Sequence, residues 1–152
     1  MSDYTIRPAT QKDIESIIDL CKEHAQFESS DYDKTGKAEK ISRHLFSGTS
    51  SIKCLVVETA GGIKGYATFM PEFSTWDASY YMHMDCLYLK PELRRKGIGR
   101  EIITFIFSEA KAMGCVNVQW QTPEDNLDAI EFYKKVNAVP KKKVRFLLDC
   151  KN

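Results

Sequence analysis

The chain has 152 residues, of which 43% are apolar and 28% charged. That is room for one domain able to bury its own core without metal or disulfide staples, and it argues against wholesale disorder. Lys and Arg number 22 against 21 Asp and Glu, a net charge of +1, so the excess of cationic charge on which nucleic-acid affinity rests is missing. No apolar stretch approaches the ~20 residues needed to span a bilayer. The five cysteines (21, 54, 86, 115 and 150) are odd in number and without C-x-x-C spacing. With no signal-peptide pattern, this predicts free thiols in a cytoplasmic protein. The three histidines (24, 44 and 83) lack the spacing of a ligand set, so no metal is expected.

Residues 4–7 alternate and predict a first strand ended by Pro8. Thr10, with Asp13 three residues on, resembles a capping box. Ile14, Ile17, Ile18, Cys21 and Ala25 then recur at helical spacing, predicting a helix from about 12 to 27. The polar stretch 28–37 reads as a loop, and 37–46 as a short second helix closed by Gly48. From there the period changes. Residues 53–58 and 63–71 read as strands joined by a Gly61-Gly62 hairpin turn. Residues 73–78 form a connection, and 80–89 a long aromatic strand stopped by Pro91. Residues 97–113 predict an amphipathic helix with Ile102, Ile103, Phe105, Ile106, Ala110 and Met113 on or near one face, capped by Gly114. Strand 116–121 follows. Asn126 is placed to N-cap a helix reaching about 136, with Asn137 at its left-handed end. Residues 144–149 predict a closing strand. The order is β-α-α-β-β-β-α-β-α-β: a single α/β domain over 1–152, with a mixed sheet flanked by helices.

The most informative segment is Arg94-Arg95-Lys96-Gly97-Ile98-Gly99-Arg100, where a strand runs through a glycine-bearing loop into a helix. The first N–H groups of a helix lack intrahelical partners, and its dipole adds partial positive charge, so a pyrophosphate binds there readily. A P-loop would need G-x-x-x-x-G-K-[ST], and a dinucleotide fingerprint a third glycine and a later acid; neither is present. The remaining pattern, R-x-x-G-x-G after a strand, is met by Arg94, Gly97 and Gly99.

On this loop, the element order, and Asn126 with Phe132-Tyr133 in the last helix, the chain resembles the GNAT superfamily of N-acetyltransferases over essentially its whole length. Ile6-Arg7-Pro8-Ala9-Thr10, the tract Ala25-Gln26-Phe27-Glu28, Trp76 and Asp85 are similar to the diamine (spermidine/spermine-type) members. The resemblance implies the GNAT acyl-CoA N-acyltransferase fold and acetyl-CoA as co-substrate. Leu87, Tyr88 and Leu89 would present backbone groups to the pantetheine arm. Arg94, Arg95, Lys96, Gly97, Ile98, Gly99 and Arg100 would surround the pyrophosphate, and Asn126 would bond the pantetheine.

Tyr133 would protonate the leaving thiolate, which suits a phenol whose ordinary pKa is about 10. Asp85 would deprotonate the acceptor amine, directly or through a water; the diamine enzymes usually carry Glu there, one methylene longer. His83, two residues away and so on the same strand face, is a rival base or an acceptor-side residue. Phe27 and Glu28 would form the acceptor pocket for a distal ammonium, with Asp31 and Asp33 adding to an acidic loop. Trp76 would line that pocket or pack. Cys86 is expected to face away from Asp85, and the cysteines to be inert. The acceptor implied is a polyamine, diamine or lysine-like amine attacked in a ternary complex. An aminoglycoside or protein amino group, or a non-catalytic CoA-binding regulatory role, are the alternatives. A homodimer is expected, with no nucleic-acid or membrane partner.

Overall fold

The computed structural model describes residues 3–151, which fall into two compact units, one ending at Gln121 and the other beginning at Thr122. The first holds β1 (Tyr4–Pro8), α1 (Ile14–Phe27), α2 (Lys37–Phe46), β2 (Lys53–Thr59), β3 (Gly62–Ser74), β4 (Ser79–Leu89), α3 (Ile98–Ala112) and β5 (Val118–Gln119). Short 3₁₀ turns at Gln11–Asp13 and Pro91–Leu93 lead into α1 and the α3 loop. The five strands lie in chain order. The first three pairings are antiparallel and β4 meets β5 in parallel, with α3 as the crossover.

Two clusters cover the sheet. Ile98, Ile102, Ile106 and Ala110 recur every fourth residue on α3 and bury against Leu55, Val57, Ala67, Phe69, Met82 and Met84. The stripe is narrower than the sequence predicts: Phe105 and Met113 are exposed. On the other face Ile17 and Leu20 of α1 meet Cys54, Val56, Tyr66 and Tyr88. Each large side chain so buried contributes about 1.5–3 kcal/mol. Arg7 ties β1 to the start of α1 through two bonds to Asp13, at 2.8 and 3.0 Å. Asp13 also accepts the Thr10 N–H at 2.7 Å, the half of the capping box the sequence signals. β3 and β4 approach so closely at Gly65 that a Cβ there would lie 2.6 Å from Leu89 Cδ2 and 3.1 Å from the Tyr88 carbonyl oxygen.

Three elements differ from the sequence reading. β3 and β4 run on as a two-stranded arm to Ser74↔Ser79, so the expected 73–78 connection shrinks to a turn at 75–78. Phe73 and Tyr80 stack edge to face across the arm at 5.4 Å, which gives that extension its cross-strand contact. β5 keeps only two residues, pairing Met82 and His83. Residues 144–149 form no strand. Their alternation is real, but a strand needs a ladder partner, and among the described residues none pairs with them. Val144, Phe146, Leu147 and Leu148 are exposed instead.

In the second unit α4 (Leu127–Lys135) starts as the sequence predicts. Asn126 is its N-cap, with Oδ1 accepting the Ala129 N–H at 3.3 Å. Asn137 ends it at φ 67°, the left-handed turn that asparagine tolerates.

Candidate active site

β4 carries the feature that organises the site. Thr68 pairs with Cys86 and the next residue, Phe69, with Met84, which leaves Asp85 unpaired at a β-bulge. A bulge breaks the two-residue alternation and re-aims side chains. Met82 and Met84 point into the α3 cluster. Strict alternation would send Cys86 after them, yet Cys86 packs on the α1 cluster with Tyr88. The expectation that Cys86 faces away from Asp85 is therefore overturned: its thiol donates to Asp85 Oδ2 at 3.8 Å. Asp85 itself is exposed, with 55% of its side chain accessible, and its Oδ1 lies 4.0 Å from Nε2 of the more sheltered His83.

Beyond the bulge, Leu87, Tyr88 and Leu89 pair on one side with Ala67, Tyr66 and Gly65. Within the first unit their other edge has no strand, since β5 reaches only Met82 and His83. The chain then turns through Pro91–Leu93, anchored by buried Leu93, and enters the basic loop. Arg95 at φ 60° and Gly97 at φ 82° both adopt the left-handed conformation, and Gly97 is the N-cap of α3. Left-handed turns beside a helix start direct successive N–H groups outward. Among the described residues the N–H groups of 95–99 make no backbone hydrogen bond. Arg95, Lys96 and Arg100 are exposed, Gly99 is half-buried, and Ile98 is buried in the core.

Arg94 differs from its neighbours. Its Nε donates to the Leu89 carbonyl at 2.9 Å, and its guanidinium lies 4.7 Å from the Phe27 ring and 5.5 Å from that of Tyr88. Its side chain therefore braces the loop against β4 and the end of α1.

The acceptor-side residues divide. Phe27, last in α1, is exposed beside Tyr88, at 6.3 Å between rings. Glu28 bonds His24 Nε2 at 2.6 Å, one helical turn back. Asp33 is occupied in a turn: its Oδ1 accepts the Thr35 N–H at 2.9 Å, which lowers its pKa. Trp76, at the tip of the β3–β4 arm, is 96% exposed, which excludes a packing role within the described structure. In the second unit Tyr133 is half-buried, its ring 5.3 Å from that of Phe132. Asn126 also donates to Thr122 Oγ1 at 3.4 Å.

Sequence reasoning passed over His24 and Tyr66. His24 Nδ1 meets the Tyr66 hydroxyl at 3.0 Å, and its ring stacks on Tyr88 at 5.3 Å. The signal for His24 was available: it stands seven residues after Ile17, on the apolar stripe of α1, and four before Glu28. Tyr66 is one buried residue in a strand, and only the register brings it under α1. Burial pushes the Cys54 and Cys86 thiols up to about 12 and raises Cys21 and Tyr66 as well. Burial thus disfavours the thiolate at these three cysteines. No helix among the described residues is long and apolar enough to cross a membrane.

The pattern of the Acetyltransferase (GNAT) family matches residues 13–138, across both units. Thialysine N-epsilon-acetyltransferase of Bos taurus is 31% identical, over 91% of this chain and 85% of that protein. D-amino-acid N-acetyltransferase of Saccharomyces cerevisiae is 26% identical, over 86% and 82%. In fold, a possible acetyltransferase from Clostridium difficile 630 superposes at a TM-score of 0.82, with 18% identity over 99% of this chain and 100% of that one. With a mixed sheet, a bulged fourth strand, and a glycine loop opening α3, the chain belongs to the GNAT family and is an N-acetyltransferase.

Proposed function

We propose that the chain transfers the acetyl group of acetyl-CoA to the primary amine of a small cationic acceptor, by direct attack in a ternary complex. The observation that carries this reading is the bulge at Asp85, which presents a carboxylate on the strand that leads into the basic loop. The amine nitrogen attacks the thioester carbonyl, the carbon–sulfur bond breaks, and two protons must be managed. Asp85 takes the amine's proton, directly or through one water, with His83 as the alternative base. Tyr133 returns a proton to the departing thiolate.

For acetyl-CoA, the outward N–H groups of 95–99 and the cations Arg95, Lys96 and Arg100 suit a pyrophosphate. Within the first unit the edge of Leu87–Leu89 that lacks a strand, with the Leu89 carbonyl held by Arg94, suits the amide-bearing pantetheine arm, and Asn126 would add a bond. Arg94 contributes through the loop it braces. On this reading both units act as one domain over 1–152.

The acceptor class rests on Phe27 and Glu28, an exposed aromatic ring beside a carboxylate, and on relatives named for a lysine analogue. Trp76 at the arm tip would extend that side. A homodimer is supported by the exposed apolar run Val144, Phe146, Leu147 and Leu148, and the chain would act in the cytoplasm. The test is a pH profile of kcat/KM for the parent, Asp85→Asn and His83→Ala. Loss of the acidic limb in Asp85→Asn alone supports the assignment. Its loss in His83→Ala alone transfers the role to His83, and an unchanged profile in both overturns it.

A further inference from the structure

Polar groups on the α1 face of the sheet form one line that is exposed at both ends, at Asp85 and at Glu28. Cys86 Sγ meets Asp85 Oδ2 at 3.8 Å, and Cys86 and Cys21 pack beside buried Tyr66. That hydroxyl meets His24 Nδ1 at 3.0 Å, and His24 Nε2 meets Glu28 Oε2 at 2.6 Å. The His24 ring lies 21° from parallel on Tyr88, so it has little freedom to swing. In the neutral ring a proton on Nε2 would face Glu28 while Nδ1 accepts the Tyr66 O–H; the protonated ring meets the same two partners.

We propose that His24 is a positioning residue for acceptor choice: it fixes the Glu28 carboxylate one turn beyond itself, so that acceptors with a second positive charge are preferred. The inference rests on the acetyl-transfer reading above and adds to it the residue that sets the selectivity. Glu28 lies just past the end of α1, where its backbone alone would leave the side chain free to sample solvent. The 2.6 Å contact removes that freedom. Tyr66 matters only through His24, by holding the proton on the far nitrogen.

The experiment compares 1,4-diaminobutane with 1-butylamine, which differ in the second ammonium alone. The variants are His24→Leu, which removes both ring contacts at similar volume, and His24→Gln, whose amide supplies one donor and one acceptor. In the parent, nitrogen NMR should show a proton on His24 Nε2. In His24→Leu the diamine kcat/KM should fall about tenfold, chiefly through KM, with 1-butylamine falling less than about threefold. His24→Gln should recover most of the diamine preference. Adding Glu28→Gln to His24→Leu should cost little more, because both changes remove the same contact.

Equal losses for both amines, no loss for either, or a proton on Nδ1 alone would each overturn the proposal. If the parent acetylates no amine yet shows the Nε2 proton, the acetyl-transfer reading falls and takes the selectivity claim with it. If it acetylates both amines equally well, that reading stands and only the His24 proposal fails.

Discussion

The two faces of the sheet are built from different chemistry. Against α3 the fully buried residues are aliphatic side chains, phenylalanine and methionine, with Tyr4 and Cys115 only partly buried at the margin. Against α1 the same strands present Tyr66, Tyr88, Cys54 and Cys86, and the helix answers with Cys21 and His24. The first face makes contacts that any similar volume could replace. The second is hydrogen-bonded and so fixes orientation as well as position. β4 belongs to both, and the bulge at Asp85 is where it changes allegiance: 82 and 84 go to one face, 86 and 88 to the other. The α3 face holds the fold, and on the proposal above the α1 face aims the site.

Mutations should separate the two roles. The largest effect is expected at the proposed acid and base. Asp85→Asn and Tyr133→Phe should each lower kcat by about 10²–10⁴-fold, with melting temperature and acetyl-CoA protection nearly unchanged. Next comes the α3 face. Ile102→Ala, in a fully buried stripe, should cost about 2–5 kcal/mol in denaturant unfolding, while the fraction still folded keeps its kcat. Gly65→Ala should destabilise by a similar amount, because its Cβ would meet Leu89 and the Tyr88 carbonyl. If Ile102→Ala instead lowered kcat at unchanged stability, the division of labour would be wrong.

Tyr66→Phe is the sharper test from the α1 face. It should cost only about 1 kcal/mol and yet shift the diamine KM. A smaller, pH-dependent effect falls on the β1–α1 link. The Arg7 guanidinium, and then the Thr10 N–H, hold the Asp13 carboxylate below its ordinary pKa against the opposing effect of burial. A group with a depressed folded pKa contributes stability above its unfolded value, about 3.9, and loses it as pH falls through the folded value. Unfolding free energy should therefore drop below about pH 4, and Asp13→Asn should flatten that limb.

Local signals foretold most of the elements, because their information is local. Gly97 and Gly114 bracket α3 with positive φ, Asn126 and Asn137 bracket α4, and the Ile14–Ile17–Ile18–Cys21 spacing gives α1 its buried face. The basic loop was legible for the same reason, being one contiguous string. What escaped was set by register. Nothing in the order Met84-Asp85-Cys86 announces a bulge, so Cys86 was sent to the wrong face. The pairing of His24 with Tyr66, 42 positions apart, depends on which strand lies beneath α1. Residues 144–149 failed in the opposite direction: the alternation was present, but the partner strand was not.

Acetyl transfer from acetyl-CoA to a small cationic amine is met most directly by thiol release from acetyl-CoA across a panel of diamines, polyamines, lysine analogues, aminoglycosides, peptide amines and simple monoamines. Release should occur with one or more of these amines and be lost in Asp85→Asn and Tyr133→Phe. Silence across the panel, or release undiminished in both variants, would contradict the proposed transfer.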